Sequence, residues 1–418
     1  MPSPGTVSRR LDVGASLRTR PPAAPWLGLF IGGGCLAWAA IRLGRFPGAA
    51  VGDQPLNLAL AFVGAAAMGV SVGWMLARRG GVLAPAHAAG AATAGRAPRI
   101  VCLGGGHGLA TLLKGLKAHT ERLTAIVTVA DDGGSSGRLR QDYRVVPPGD
   151  IRNCLVALAA NEDIVARMFQ FRFQLPDGAQ PGASGLEGHS LGNLLLTGLG
   201  AITGDFLQAI RVSGEVLGIT GEVLPSTLAP VKLWAVMADG TVVEGESRIP
   251  EAGQRIREIH LSLDDAEPAP GVLERIAEAD LIVLGPGSLF TSILPNLLVP
   301  RIRRAIAASR APVLVVVNVM TQRGETDGFN VGDHLAVLRS MGGLERVDHV
   351  LVHDGLPSAE ARHRYAASGA HPVELDRATI EDLGGRVLRA DIAGSGDVFQ
   401  HDPEKLAHAV MAALRAGG

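Results

Sequence analysis

Short apolar runs that break into glycine-rich polar stretches recur through the last three quarters of the chain. Ile100 to Leu103 leads into Gly104-Gly-Gly-His-Gly, and Leu123 to Ala130 into Asp131-Asp-Gly-Gly-Ser-Ser-Gly-Arg. Leu281 to Leu284 leads into Gly285-Pro-Gly-Ser-Leu-Phe-Thr-Ser, and Val313 to Val317 into Asn318-Val-Met-Thr-Gln-Arg-Gly. Runs this short and this uniformly apolar predict strands buried on both faces. Behind the first, Leu109, Leu112, Leu113 and Leu116 recur at helical spacing, so a helix follows the glycines. A further strand is predicted at Val350–Val352 and a closing helix over Pro403–Leu414. Strands alternating with helices predict an α/β fold: a doubly wound, mainly parallel, Rossmann-like sheet with its polar loops at the carboxyl edge, where such sheets bind ligands.

Two regions depart from this rhythm. Between about 205 and 262, Val231 to Met237 and Val242 to Glu244 flank Asp239-Gly240, a hairpin signal, so a small antiparallel insert is expected there. At the other end, Pro21 to Ile41 carries no charge, and Leu56 to Ala77 is 22 residues without one. A helix of that length spans about 33 Å, enough for the hydrocarbon core of a bilayer. The N-terminal part thus reads as a membrane anchor, residues 1–78, with two transmembrane helices over about 22–43 and 56–77. A secretory signal is the rival for the first segment. Arg9, Arg10, Arg18 and Arg20 precede the first span and Arg78 and Arg79 follow the second, which places both termini in the cytoplasm. Residues 79–98, rich in Gly and Ala, form a flexible linker to a globular unit at 99–418. The expected location is the inner membrane, with that unit in the cytoplasm.

Composition narrows the partners. A net charge of −1 and 4% aromatic residues give no basic stripe and no stacking platform, so no nucleic-acid partner is expected. The three cysteines, Cys35, Cys102 and Cys154, have no paired spacing, which points to a reducing compartment rather than a zinc site.

The loops carry the chemistry. In the first, backbone N–H groups at Gly105, Gly106 and Gly108, beside His107, open a helix whose dipole favours an anion. The strict dinucleotide fingerprint fails, because its third glycine position holds Leu109; NAD is therefore the less favoured ligand. In the second, Gly133 and Gly134 free the backbone, Ser135 and Ser136 add hydroxyls, and Arg138 adds a fork-shaped cation suited to phosphate. Asp131 and Asp132, about one βαβ unit past the first loop, would hold a ribose hydroxyl or a divalent metal such as Mg²⁺. Pro147-Pro-Gly-Asp-Ile-Arg-Asn brings Asp150, Arg152 and Asn153, where Asp150 and Arg152 read equally as ligand contacts or as an ion pair. Gly188-His-Ser-Leu-Gly-Asn brings His189 and Asn193, with Ser190 a candidate helix cap. His107 and His189 are placed for proton transfer or for packing. Gly287, Ser288, Asn318 and Thr321 complete the ligand-binding set; Asn318, like Asn193, reads as a contact to base or sugar or as a loop cap. Glu325 and Asp327 read as residues of a solvated loop. No catalytic residue is assigned.

These motifs, in this order, resemble those of the bacterial YvcK proteins, the gluconeogenesis factors, over roughly 99–415. Their wider superfamily includes CofD, the 2-phospho-L-lactate transferase. The resemblance implies a regulatory protein that binds UDP-sugars such as UDP-N-acetylglucosamine, serves cell shape and wall synthesis, and supports growth on gluconeogenic carbon. Cell-wall synthesis proteins as partners and a homo-oligomer are expected with it. The alternative is a CofD-like, Mg²⁺-dependent transferase that moves a phospho-organic group from a nucleotide diphosphate carrier to an acceptor. One departure is His107, at a position where the family usually has Thr.

Overall fold

The computed structural model describes residues 96–418 except 161–163, 176, 178–179, 181–183, 358, 368, 384–385, 395–399 and 417–418. The predicted spans at 22–43 and 56–77 and most of the linker lie outside the described residues, among which no helix is long and apolar enough to cross a membrane. Contact clustering separates 95–418 as its own compact unit.

Its centre is a seven-stranded parallel sheet in the order β10-β9-β8-β7-β1-β2-β3. The strands are β1 (Ile100–Gly104), β2 (Leu123–Val127), β3 (Glu222–Pro225), β7 (Leu281–Leu284), β8 (Val313–Val316), β9 (His349–His353) and β10 (Val387–Ala390). The apolar runs behave as their pattern requires. Along β1, Val101 and Leu103 enter one core while Ile100 and Cys102 enter the other, and β7 divides in the same way. Two cores, one on each face, are what a doubly wound sheet needs. The second holds α1 (Gly106–Leu116), α3 (Gly149–Leu158) and the C-terminal helix Pro403–Ala416. Gly115 lets α1 and that last helix touch: a Cβ there would strike the Pro403 carbonyl.

The antiparallel part is the three-stranded sheet β5-β4-β6, formed by β4 (Leu233–Met237), β5 (Val242–Glu244) and β6 (Ile256–Leu261). It begins later than position 205, because Phe206–Leu217 is a helix packed in the second core and Glu222–Pro225 is the edge strand β3 of the parallel sheet. Leu233, Ala235, Met237, Ile259 and Leu261 press the insert onto the first core. The remaining helices that matter to the site are α2 (Gly134–Tyr143), α4 (Ile164–Gln170) and α5 (Leu191–Thr203).

Candidate functional site

The strand order reverses direction between β1 and β7, and a cleft of about 700 Å³ opens there at the carboxyl edge. Of the sequence-predicted residues, Gly106, His107, Gly108, Asp131, Asp150, Gly287, Ser288, Asn318 and Thr321 line it. The glycines are demanded by close approach. A Cβ on Gly106 would strike the Asp150 carboxylate and lie 2.8 Å from Asn153 Nδ2, and one on Gly108 would strike the Pro286 carbonyl. Gly105 is the N-cap of α1 and backs onto Ser292 and Asp150. His107 is exposed in the first turn of α1.

Carboxyl groups dominate this cleft. Burial, reinforced by the neighbouring Asp131 charge, raises Asp150 to about 7, although the Gly106 N–H donates to it. Burial also raises Asp131, against hydrogen bonds from the Gly133 N–H and Ser136. Glu246, on the insert, is pushed to about 8 by burial first and then by Asp131. Among the described residues, no Lys or Arg lines the cleft. Asp132 behaves differently from its neighbour: it accepts from the Ser247 N–H at 2.9 Å and thereby fixes the Gly245-Glu246-Ser247 turn. Arg140 donates to the Val231 carbonyl and holds the base of the same insert. Asp131 therefore faces the site, while Asp132 positions the loop that supplies Glu246.

The loops after β7 and β8 lock each other. Asn318 Nδ2 donates to the Gly287 carbonyl at 2.7 Å, and its Oδ1 accepts from the Gly287 N–H at 3.1 Å. Ser288 is a helix N-cap that accepts from the Thr291 N–H and donates to Glu325. Glu325 thus corrects the expectation of a solvated loop residue: it is 7% exposed, and burial raises its carboxyl. Thr321 is buried and pairs with His371 through backbone and side chain, at 2.7 and 2.9 Å.

The other predicted residues gather beside the cleft, under the turn 186–193. Ser135 Oγ lies 3.1 Å from His189 Nδ1 and accepts from Asn193 Nδ2 at 3.1 Å and the Ser190 N–H at 3.3 Å. Arg152 donates to Asn193 Oδ1 at 3.1 Å and to Asn153 Oδ1 at 2.7 Å, leaving its Nε without a partner. Arg138 donates to the Glu187 carbonyl and Arg172 to the Gly188 carbonyl, both at 2.6 Å. Arg138, Arg152 and Arg172 all end on neutral oxygens, and none has an ion pair among the described residues. Burial, and then the Arg172 charge, lower Arg152; burial, and then Arg138, lower His189. Asp150 and Arg152 make no direct pair, because Arg152 turns toward Asn193. Ser190 holds the N-cap position of α5, but its hydroxyl donates to the Phe169 carbonyl. Gly134 adopts φ +46 where α2 begins, just after Gly133 at its N-cap. Ser136 joins the two regions, bonding Asp131 on one side and accepting from Asn193 Nδ2 at 3.4 Å on the other.

Sequence reasoning missed Glu246, Tyr365, Gln400 and His401, all of which line the cleft. Glu246 has a weak signal, an acid directly after Gly245 at the end of the hairpin. The other three follow no glycine loop and reach the cleft only through tertiary packing. Burial, and then the nearby His353, lower His401 to about 4, against a backbone interaction with Ile392. No cluster of three metal-type side chains is set around one point among the described residues.

A doubly wound, mainly parallel sheet whose glycine loops meet at the switch point defines a Rossmann-like class of α/β protein. The family model described as 2-phospho-L-lactate transferase CofD matches residues 100–393. Relatives named gluconeogenesis factor include those of Halalkalibacterium halodurans, 46% identical with 75% of this chain and 95% of that protein covered, and Bacillus subtilis, 45% identical with 77% and 99% covered. A crystal structure of a upf0052 family member from Bacillus halodurans superposes with a TM-score of 0.70 at 45% identity, covering 75% of this chain and 99% of the other. The chain belongs to the CofD family, in its gluconeogenesis-factor (YvcK) branch.

Proposed function

We propose that this chain is a regulatory protein that binds UDP-sugars of the UDP-N-acetylglucosamine type, with its diphosphate lodged between the N-terminus of α1 and the Arg138–Arg152–Arg172 cluster. The observation that carries the reading is that cluster: three guanidinium groups without carboxylate partners, set among the hydroxyls and amides of Ser135, Ser136 and Asn193. Arg152 is buried, Arg138 and Arg172 lie exposed beside it, and cations gathered in this way are stabilised by a bound polyanion. The cleft offers neutral groups, Asn318, Gln322 and Thr111 among them, for sugar or base. Its role, on this reading, is to serve cell shape and wall synthesis and growth on gluconeogenic carbon. The N-terminal hairpin holds it at the inner membrane with the globular unit in the cytoplasm, where wall-synthesis proteins and a second copy are its partners.

A second reading is favoured by one observation, the uncompensated carboxyls of the cleft. In a CofD-like transferase, a Mg²⁺ ion would be held by Asp131 with Asp150 or Glu246, together with phosphate oxygens and water, the usual ligand set of that ion. Asp132 Oδ1 already accepts from the Ser247 N–H, so Asp131 comes first in this set. The ion would neutralise charge on the leaving phosphate.

Calorimetry on residues 96–418 separates the two readings. UDP-N-acetylglucosamine is compared with UDP-glucose, GDP and NAD, with and without Mg²⁺, for wild type and Arg138→Ala. UDP-selective binding, weakened by the substitution and with ligand recovered intact, is the expected outcome. Binding of GDP without any UDP-sugar, or release of nucleotide when an acceptor is added, puts the transferase first.

A further inference from the structure

The opposite edge of the sheet, where the strands begin, carries a charge pattern of its own. The crossover helices Pro300–Ala308 and Val331–Ser340 both run toward it: Gly342, just past the second, abuts Leu294 and Leu297 of the short helix that precedes the first, and a Cβ on Gly343 would lie 2.8 Å from the Arg303 guanidinium. Between them runs a groove of about 600 Å³ lined by Arg303, Arg304 and Arg339 over Ala307 and Leu344, with Glu345 as its single carboxylate. Arg303 and Arg304 make no ion pair among the described residues, and Arg339 only reaches Asp382 at 3.8 Å with both side chains well exposed. By contrast, Arg346 is matched by Asp348 at 3.0 Å and Arg301 by Glu267 at 2.6 Å.

A cation near a helix C-terminus complements the dipole. That accounts for Arg339, in the last turn of its helix, but not for Arg303 and Arg304, which stand earlier in theirs and line the same groove. The chain enters the unit on this same edge, since β1 begins at Ile100 in register with Leu281 of β7.

We propose that this arginine edge rests on a membrane surface of anionic lipid. The proposal goes beyond the nucleotide-sugar reading and shares with it only the membrane-anchored reading of 22–43 and 56–77. A broad, shallow guanidinium patch suits headgroup phosphates arrayed in a plane, and docking by this edge turns the ligand cleft, on the opposite edge, toward the cytoplasm.

Residues 96–418 are suited to the test, because the solved relative consists of this unit alone, 99% of its chain being covered. The protein is sedimented with vesicles of phosphatidylglycerol and phosphatidylcholine in equal parts, and with phosphatidylcholine alone, at low and high salt. Binding to the anionic vesicles only, released by salt and weakened roughly tenfold in Arg303→Glu/Arg304→Glu, is the expected result. Arg257→Glu, on the insert, should leave it unchanged. Equal binding to phosphatidylcholine, or no change in the double variant, overturns the proposal. Displacement of the protein by soluble glycerophosphate would also overturn it, marking the groove as a small-anion site. The anchor segments are absent from this unit, so failure strikes the lipid surface and leaves UDP-sugar binding, measured on the same protein, untouched.

Discussion

The cleft at the switch point and the cluster under the turn 186–193 share the motif Asp131 to Arg138 and have opposite chemistry. The cleft is lined by carboxyls pushed upward by burial and, among the described residues, holds no Lys or Arg. The cluster holds three arginines and no acid bonded to them. Sequence neighbours are divided between the two: Asp131 faces the cleft, Ser135 and Arg138 face the cluster, and Ser136 touches both. The carboxyls of the cleft and Arg152 of the cluster are buried, which is costly without a counter-charge, while Arg138 and Arg172 lie exposed. On the proposed reading, the difference suits a ligand with two unlike ends, a polyanion on one side and a neutral or cation-carrying group on the other.

The largest expected effect comes from closing the boundary between the loops. Gly108→Ala puts a methyl onto the Pro286 carbonyl, backbone against backbone, so ligand binding should be lost and the fold weakened by roughly 2 kcal/mol or more. Calorimetry and thermal denaturation measure both. Next is Arg152→Met, which sharpens the comparison by removing one buried cation from the cluster. UDP-N-acetylglucosamine binding should weaken roughly ten- to a hundredfold, while the melting temperature of the free protein changes little, since the lost hydrogen bonds are offset by relief of a desolvated charge. A large fall in stability with unchanged binding would make Arg152 a purely structural residue.

The cleft predicts a pH dependence of definite sign. Asp150 and Glu246 have folded-state values near 7 and 8, above those of ordinary carboxylates. The folded state therefore binds their protons more tightly than the unfolded chain, and their favourable contribution, complete below about pH 4, is lost as pH rises to about 8. The free protein should melt higher at pH 6 than at pH 8.5, and Glu246→Gln should shrink that gap; an unchanged gap would remove Glu246 from the account. The smallest effect is expected for His107→Thr. This residue is exposed at the cleft mouth, so affinity for UDP-N-acetylglucosamine should move by less than about threefold by calorimetry.

Parallel strands, the glycine loops and the antiparallel hairpin were legible because periodicity and glycine spacing are local signals. The edge strands β3 and β10 were not, since Glu222–Pro225 and Val387–Ala390 are short and carry little apolar pattern of their own. The division of Asp131 from Asp132 was hidden for a related reason: it depends on the insert, whose Ser247 N–H claims only the second carboxylate. Glu325 read as solvated because its loop is polar, yet Ser288 and the Phe290 N–H, brought from 35 or more residues away, bury it. His401 and Tyr365 reach the cleft from the C-terminal quarter through packing that no local motif encodes.

The most direct test is a crystal structure of residues 96–418 with UDP-N-acetylglucosamine. The diphosphate should lie against the N-terminus of α1 with oxygens on the Arg152 and Arg138 side, and the sugar or base should lie toward Asn318. A diphosphate seated among Asp131, Asp150 and Glu246, remote from every arginine of the cluster, would contradict the two-ended site.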